Sequence, residues 1–400
     1  MPNTPERSRL TPPLFALLIL LGTTGPLATD MYLPSFPAMT QEFATSASGI
    51  QLTLTAFLIG IAFGQIFWGP LSDRLGRAIP LRWGTALFVV ASVVAALAPT
   101  LTTLTIARAL QGLGGAAGLV ISKAIVADTT RGVQTARIFS LLMTFGGVAP
   151  AVAPLFGSIL GEFGGFRTVL WFICLIALAM AAGSFGIYRE TLPVAQRSTG
   201  NFIAPLRVAL SKPRFVGYMV QFAFAFGAMM AYVSASPFLY QNVMGLSPQG
   251  YALCFGINSL GLITAGLVSA RLASRVPLRR TITIALSVLL LSCTVLAVAV
   301  NLGVRNMLLA VLIFIMVTSV GFAMGNTTGL AIAEVREVSG SGSALLGCAQ
   351  FFIGAVATPL VGLSGEDSAV AFSITALVSA AIAACALIYT ADRFHRPVQA

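Results

Sequence analysis

Apolar runs of about 20 residues, parted by short charged or turn-forming stretches, fill this chain from end to end. Each run is long enough to cross a bilayer as a helix. No soluble domain of 400 residues could cover its surface with 9% charged side chains against 57% hydrophobic ones. The runs fall at 14–33, 50–71, 79–97, 103–125, 138–160, 168–188, 215–238, 251–270, 281–300, 307–330, 341–363 and 368–389. The first could pass for a secretory signal, but Pro26-Leu27-Ala28 is a poor cleavage site and apolar character resumes after Asp30. Pro34 and Pro37 are expected to mark its end. The pattern predicts an all-α membrane protein with twelve transmembrane helices. Two six-helix bundles, 1–188 and 215–400, flank a polar linker at 189–214.

The charges test this count. If both termini are cytoplasmic, 20 of the 23 Lys and Arg residues fall in cytoplasmic loops or tails, and only Arg167 and Arg305 fall outside. Miscounting one early helix would invert every later loop and destroy that bias. The net charge of +11 therefore reads as membrane topology and not as a nucleic-acid face. The five cysteines lie inside apolar runs without paired spacing, and the only histidine is His395 in the charged tail. No metal site or cofactor is expected. Lys123 and Lys212 each follow Ser, so no G-K-[ST] phosphate loop exists.

One stretch occurs twice. Residues 69–82 read G-P-L-S-D-R-L-G-R-A-I-P-L-R, and residues 266–279 read G-L-V-S-A-R-L-A-S-R-V-P-L-R. Seven of the 14 positions are identical at a spacing of 197, about half the chain. Each copy is a hairpin between the second and third runs of its half. Such a parallel repeat is the pattern of a large class of secondary transporters.

Two charges interrupt the apolar runs, Asp30 in the first and Arg108 in the fourth. A charge at the bilayer centre costs about 2.5–3.5 kcal/mol on insertion scales, so such residues face a cavity or a partner. Both belong to the outer half of the membrane, where they are placed to pair. Asp30 reads as a proton-coupling carboxylate or as an interfacial acid just beyond the helix. Arg108 reads as its functional partner or as a structural tie within the first bundle. Asp73, Arg74 and Arg77 form the charged hairpin, with Gly69 and Gly76 beside them, and Asp128 is a candidate partner for Arg77. Asp73 is placed to dock on the N-terminus of the eleventh helix near Ser341 and latch the two halves. The alternative is a plain positive-inside turn. In the fifth run, Pro150 and Pro154 each remove a helix hydrogen bond, and Gly157 lets a neighbour approach. Gly112, Gly114, Gly115 and Gly118 read as a packing face. Tyr32, Gln65, Gln111, Tyr232, Phe238, Asn258 and Gln350 are candidates for lining a central cavity.

These residues carry a family resemblance. The 69–77 stretch resembles the hairpin motif of the major facilitator superfamily, and Leu104-x-x-x-Arg108-x-x-Gln111-Gly112 is similar to its fourth-helix motif. The Pro150 to Gly157 segment is similar to the antiporter motif, with Ala149-Pro150 and Ala153-Pro154 in place of the commoner Gly-Pro. Asp30-Met-Tyr-Leu-Pro34 and Ser234-Ala-Ser-Pro237-Phe238 resemble the Bcr/CflA branch of drug:proton antiporters, which includes chloramphenicol exporters. The resemblance implies alternating access around a cavity between halves. It makes Asp30 the proton and substrate carboxylate, Arg108 its partner, and Asp73 and Arg77 a cytoplasmic gate. The implied partners are a small hydrophobic drug, protons and the bilayer, with no nucleic acid. A single acid in the first helix would suit neutral or zwitterionic drugs such as phenicols. The competing expectation is a carrier of a natural metabolite on the same fold. No nucleophile–base set points to an enzyme. A monomer in the cell membrane is expected, since one chain supplies both halves.

Overall fold

The computed structural model describes residues 11–131, 133–197, 200 and 203–391. Arg7, Arg9, Arg393, His395 and Arg396, and with them both terminal tails, lie outside the described residues. Among the described residues the chain is entirely helical apart from turns. Ten helices are long and apolar enough to cross a membrane, or eleven if one bent pair is a single span.

That pair occupies the first run. One helix was expected over 14–33, but α1 (Pro12–Gly22) and α2 (Thr24–Asp30) are separate, and the helical path bends by 46°. Thr23 and Thr24 turn their hydroxyls back onto the Ile19 and Leu21 carbonyls, at 3.0 and 2.8 Å, and Pro26 supplies no N–H to the turn before it. Pro34 and Pro37 do not end the helical path either. They sit in the first turns of a 3-10 segment (Leu33–Ser35) and of α3 (Phe36–Glu42), where a missing N–H costs nothing.

Next come α4 (Ala47–Leu75), α5 (Ala78–Ala96), α6 (Leu101–Thr129) and α7 (Val133–Gly186). The fifth and sixth runs, expected as separate helices, join in α7. At 54 residues an unbroken helix would run about 80 Å, more than twice the hydrocarbon thickness. Gly164 and Gly165 interrupt it. Gly165 has φ 67°, a left-handed conformation that glycine adopts without strain, so the chain turns in two residues instead of through a loop.

The later helices are α8 (Ile203–Leu210), α9 (Pro213–Phe238), α10 (Pro248–Leu272), α11 (Leu278–Asn301), α12 (Met307–Glu334), α13 (Ser339–Leu360) and α14 (Val370–Tyr389). Among the described residues four helices start with a side-chain cap: Ser46, Thr100, Ser247 and Asn306 accept from early N–H groups of α4, α6, α10 and α12.

Glycines set the packing of the first half. Gly112 lies against the Phe57 carbonyl, Gly114 against the Gly84 and Phe88 backbone, Gly115 against Thr24 and Gly118 against Leu21. The glycines of α6 thus bring α4, α5 and the α1–α2 pair to backbone distance. The halves of the sequence meet mainly through two helix pairs, α4 with α13 and α7 with α10.

Candidate functional site

α2 ends at Asp30, so the carbonyls of its last turn lack helical partners. Arg108 on α6 fills one of these vacancies. Its Nη2 donates to the Ala28 carbonyl at 2.8 Å, placing a cation at the negative end of a helix. Nη1 donates to Gln111 Oε1 at 2.7 Å, and Gln111 donates in turn to Ser92 at 2.7 Å. The guanidinium lies over the rings of Tyr32 and Phe57, 4.4 and 4.3 Å from their centroids. Arg108 is fully buried, while its Nε has no hydrogen-bond partner. Tyr32 shares a hydrogen bond with Thr53 at 3.0 Å.

Asp30 and Arg108, placed to pair by the sequence, form no ion pair among the described residues. Arg108 holds the backbone two residues before Asp30 instead of the carboxyl group. The Asp30 side chain is buried and accepts from the Thr29 hydroxyl at 2.8 Å. The next residue, Met31, touches α7: a methyl group at Gly157 would fall on the Met31 carbonyl. The 146–157 segment therefore meets the carboxylate's own stretch of backbone. Its other face lies on α10, with Gly147 against Ile263 and Gly256 against the Ala151 carbonyl. Pro150 and Pro154 are carried within α7.

The second half contributes a cluster of phenols. Asn258 Nδ2 donates to the Tyr232 and Tyr240 hydroxyls at 2.8 and 3.2 Å, and Tyr251 shares a hydrogen bond with Ser236 at 3.3 Å. Phe255 stacks on Tyr232 at 5.6 Å and meets Tyr251 edge-on at 5.9 Å. Phe238 packs against Phe36, joining α9 to the start of α3.

At the hairpin end, Arg77 binds Asp73, donates from Nε to Asp128 Oδ2 at 3.0 Å, and donates from Nη1 to Ser72 at 2.9 Å. Burial pushes the Arg77 guanidinium down, but the bonds to Asp128 and Asp73 outweigh it and hold it above its ordinary value. Glu190 closes the network from the far end of α7. Its carboxylate accepts from the Arg77 and Ala78 N–H groups at 2.9 and 3.1 Å, covering the start of α5. Partial burial pushes its carboxyl up, and the N–H groups of Leu192, Arg77 and Ala78, with Arg197, bring it below its ordinary value. Gly76 has φ 92°, and a side chain there would meet the Glu190 carboxylate. A side chain at Gly69 would make only ordinary van der Waals contact, with Val120. Arg74 donates to the Gly200 carbonyl at 2.8 Å, bringing the stretch between halves over the hairpin. Asp73, expected to reach the start of the eleventh span, bonds within its own hairpin to Arg77, and half of its side chain is exposed.

The pattern model of the Major Facilitator Superfamily matches residues 18–359. The chain belongs to the major facilitator superfamily. It is a multi-pass transporter of the cell membrane and not an enzyme. It is 36% identical over 389 residues, 96% of each chain, to an uncharacterized MFS-type transporter, YdgK, of Bacillus subtilis. It is 29% identical over 387 residues, 95% of this chain and 97% of the other, to the bicyclomycin resistance protein homolog of Haemophilus influenzae. Among solved structures, a bacterial homolog of the lysosomal transporter Spinster, inward-facing and unoccupied, matches with a TM-score of 0.73 at 16% identity, covering 96% of this chain and 98% of that one. At that identity the likeness shows the fold.

Further contacts of this superfamily member are absent from the sequence reading. At the end opposite the hairpins, α4 donates across to the second half. Thr55 bonds the Ala355 carbonyl at 3.2 Å, Ser48 the Pro359 carbonyl at 3.2 Å, and Gln51 Nε2 the Ser234 carbonyl at 3.1 Å. Gln241 bonds the Pro34 carbonyl at 3.1 Å, and Gln249 bonds Glu162. Proline explains one of these acceptors. Pro359 has no N–H to offer Ala355, four residues before it, so that carbonyl is free for Thr55. Pro237 likewise frees the Val233 carbonyl, which Ser236 takes at 2.8 Å. The signal in the sequence was a proline inside an apolar run with a hydroxyl on a facing helix. Tyr240 and Tyr251 were also missed, because phenols near helix ends resemble interface anchors. Farther along α4, the Gln65 amide lies against Gly347 of α13, and Gln350 is half-buried on the same helix.

Proposed function

We propose that this transporter exports small hydrophobic drugs in exchange for protons by alternating access. The observation that carries the reading is the setting of Asp30: a buried carboxyl with a hydroxyl partner and no cation, at the broken end of α2. An ionised carboxylate in such a place is costly, and proton uptake removes that cost. Arg108 holds the adjoining backbone through a replaceable carbonyl contact. A shift of the α2 end that exchanges this carbonyl for the carboxylate would favour proton release. A drug's donor group would compete for the same carboxylate. The relative named for bicyclomycin resistance supports a drug as cargo.

In this reading α7 crosses the membrane twice, turning at Gly164 and Gly165, and the bent α1–α3 path crosses once. The count is then twelve, with bundles at 1–188 and 215–400, linker 189–214 and the hairpin end cytoplasmic. Cross-half bonds close the outer end, and the Arg77 network tunes the inner one. The working unit is a monomer. In this reading Gln65, Tyr232, Phe238, Asn258 and Gln350 line the path between bundles, whereas Gln111 ties α6 to Ser92 of α5 inside the first bundle.

The test is drug accumulation in inverted vesicles under an imposed pH gradient, across a panel of bicyclomycin, phenicols and lipophilic cations. Asp30→Asn should abolish gradient-driven accumulation while Asp30→Glu retains part of it. Full accumulation in Asp30→Asn would remove the carboxylate from coupling. A panel in which nothing moves would shift the cargo to a natural metabolite.

A further inference from the structure

The second hairpin has basic residues without their acids. In the first copy, Arg77 meets Asp73 and Asp128, and Glu190 covers the adjoining helix start. In the second copy Ala270 stands in the place of Asp73, and the sequence contains no Asp or Glu from residue 191 to residue 333. Arg279 is absorbed locally, donating to the Thr390 and Leu387 carbonyls at 3.1 and 2.9 Å. Arg271, Arg275 and Arg280 are exposed, and no ion pair joins them to a carboxylate among the described residues. Glu337, the nearby acid after α12, pairs with Lys212 at 3.3 Å.

Beside these arginines lies an apolar groove of about 380 Å³ between α10, α11 and α12. Leu272, Val276 and Thr281 line one end of it, and Val288 and Phe314 continue it along the helices. Each unpaired arginine directly precedes a lining residue: Arg271 before Leu272, Arg275 before Val276, Arg280 before Thr281. Ile284, Val288 and Phe314 are exposed, so the groove opens toward lipid. An acyl-chain-sized slot whose lining residues follow three exposed, unneutralised arginines in the chain suits a lipid that carries negative charge.

We propose that this groove binds a phospholipid of net negative charge, with an acyl chain along Val288 and Phe314 and the headgroup phosphate on Arg271, Arg275 and Arg280. The lipid supplies the counter-charge that no carboxylate among the described residues gives these three arginines. Juxtamembrane arginines each attract anionic lipid by about 1 kcal/mol, or about five-fold in affinity. The headgroup thus distinguishes this site from bulk lipid contact.

The test uses the purified full-length chain in detergent, titrated with dioleoyl-phosphatidylglycerol or dioleoyl-phosphatidylcholine, with bound lipid counted by native mass spectrometry. The first phosphatidylglycerol to bind should be retained over phosphatidylcholine, with about a five-fold loss for each Arg→Gln change at 271, 275 and 280. Val288→Trp should expel it with the arginines intact. Unchanged thermal unfolding of each variant in lipid-free detergent shows that the fold is kept. Equal retention of the two lipids, or retention unchanged in either variant, would overturn the site. Displacement by glycerophosphoglycerol as effective as by the whole lipid would also overturn it, since that marks a bare anion site.

Discussion

Two copies of one hairpin, 69–82 and 266–279, keep the same loop by different chemistry. The last arginine of each reaches a carbonyl in the sixth run of its half, Arg82 at Ser184 and Arg279 at Leu387 and Thr390. The serine near the start also keeps a bonding role: Ser72 accepts from Arg77, and Ser269 accepts from Asn326 at 2.7 Å. The centres differ. The first copy encloses a buried arginine between carboxylates, and the second is built of neutral amide and hydroxyl bonds with its charges turned outward. A repeat therefore conserves the turn and its anchoring to the bundle. The charge at its centre is free to take on different work in each half.

The largest expected difference comes from Arg77→Gln, which strands Asp73 and Asp128 together. Breaking a buried pair costs about 3–5 kcal/mol, and the exposure of Asp73 reduces this to about 3 kcal/mol. Thermal unfolding in detergent should show it, whereas the counterpart Ser274→Ala should change stability by less than about 0.5 kcal/mol. Equal effects would erase the contrast between the copies. Gly76→Ala comes next, at about 1–3 kcal/mol, because φ is 92° and the Glu190 carboxylate occupies the side-chain position. Its counterpart Ala273→Gly, at φ −57°, should cost at most about 1 kcal/mol. Arg279→Gln should exceed Arg82→Gln by about 1 kcal/mol, since Arg279 also bonds Tyr218 and the Thr390 hydroxyl. The smallest effect is Glu190→Gln. Glu190 is held below its ordinary value of 4.5, so it stabilises the fold above that value, and the gain fades as pH falls toward the lowered one. With its partial exposure, the difference between wild type and variant should be below about 1 kcal/mol at pH 7 and vanish in acid.

The sequence carried the helical class and the repeat, because bilayer length and loop charge are properties of composition along the chain. The α6 glycines were legible for the same reason, as a stripe of small residues predicts close approach without knowing the partner. Charge and position alone put Asp128 forward for Arg77, and the two meet at 3.0 Å. Asp30 and Arg108 show where such reasoning stops. Depth placed them together, but the end of α2 at Asp30 offers Arg108 a free carbonyl, and a local backbone vacancy prevailed over opposite charge. Gly164 and Gly165 replaced a loop with a two-residue turn for a similarly local reason.

The bonds that Thr55, Ser48 and Gln51 make to carbonyls across the halves link groups without net charge. Dissolved ions screen charges, with a reach of about 8 Å at physiological ionic strength, and leave neutral hydroxyl–carbonyl contacts nearly untouched. In the proposed orientation, the α4 part of the outer seal should therefore hold alike in fresh and saline surroundings, and only the Gln249–Glu162 contact should feel the salt. With the hairpin end cytoplasmic, as proposed above, the guanidinium–carboxylate knot sits where the cell itself regulates ionic strength. The molecule thus turns its salt-indifferent chemistry to the medium it cannot control.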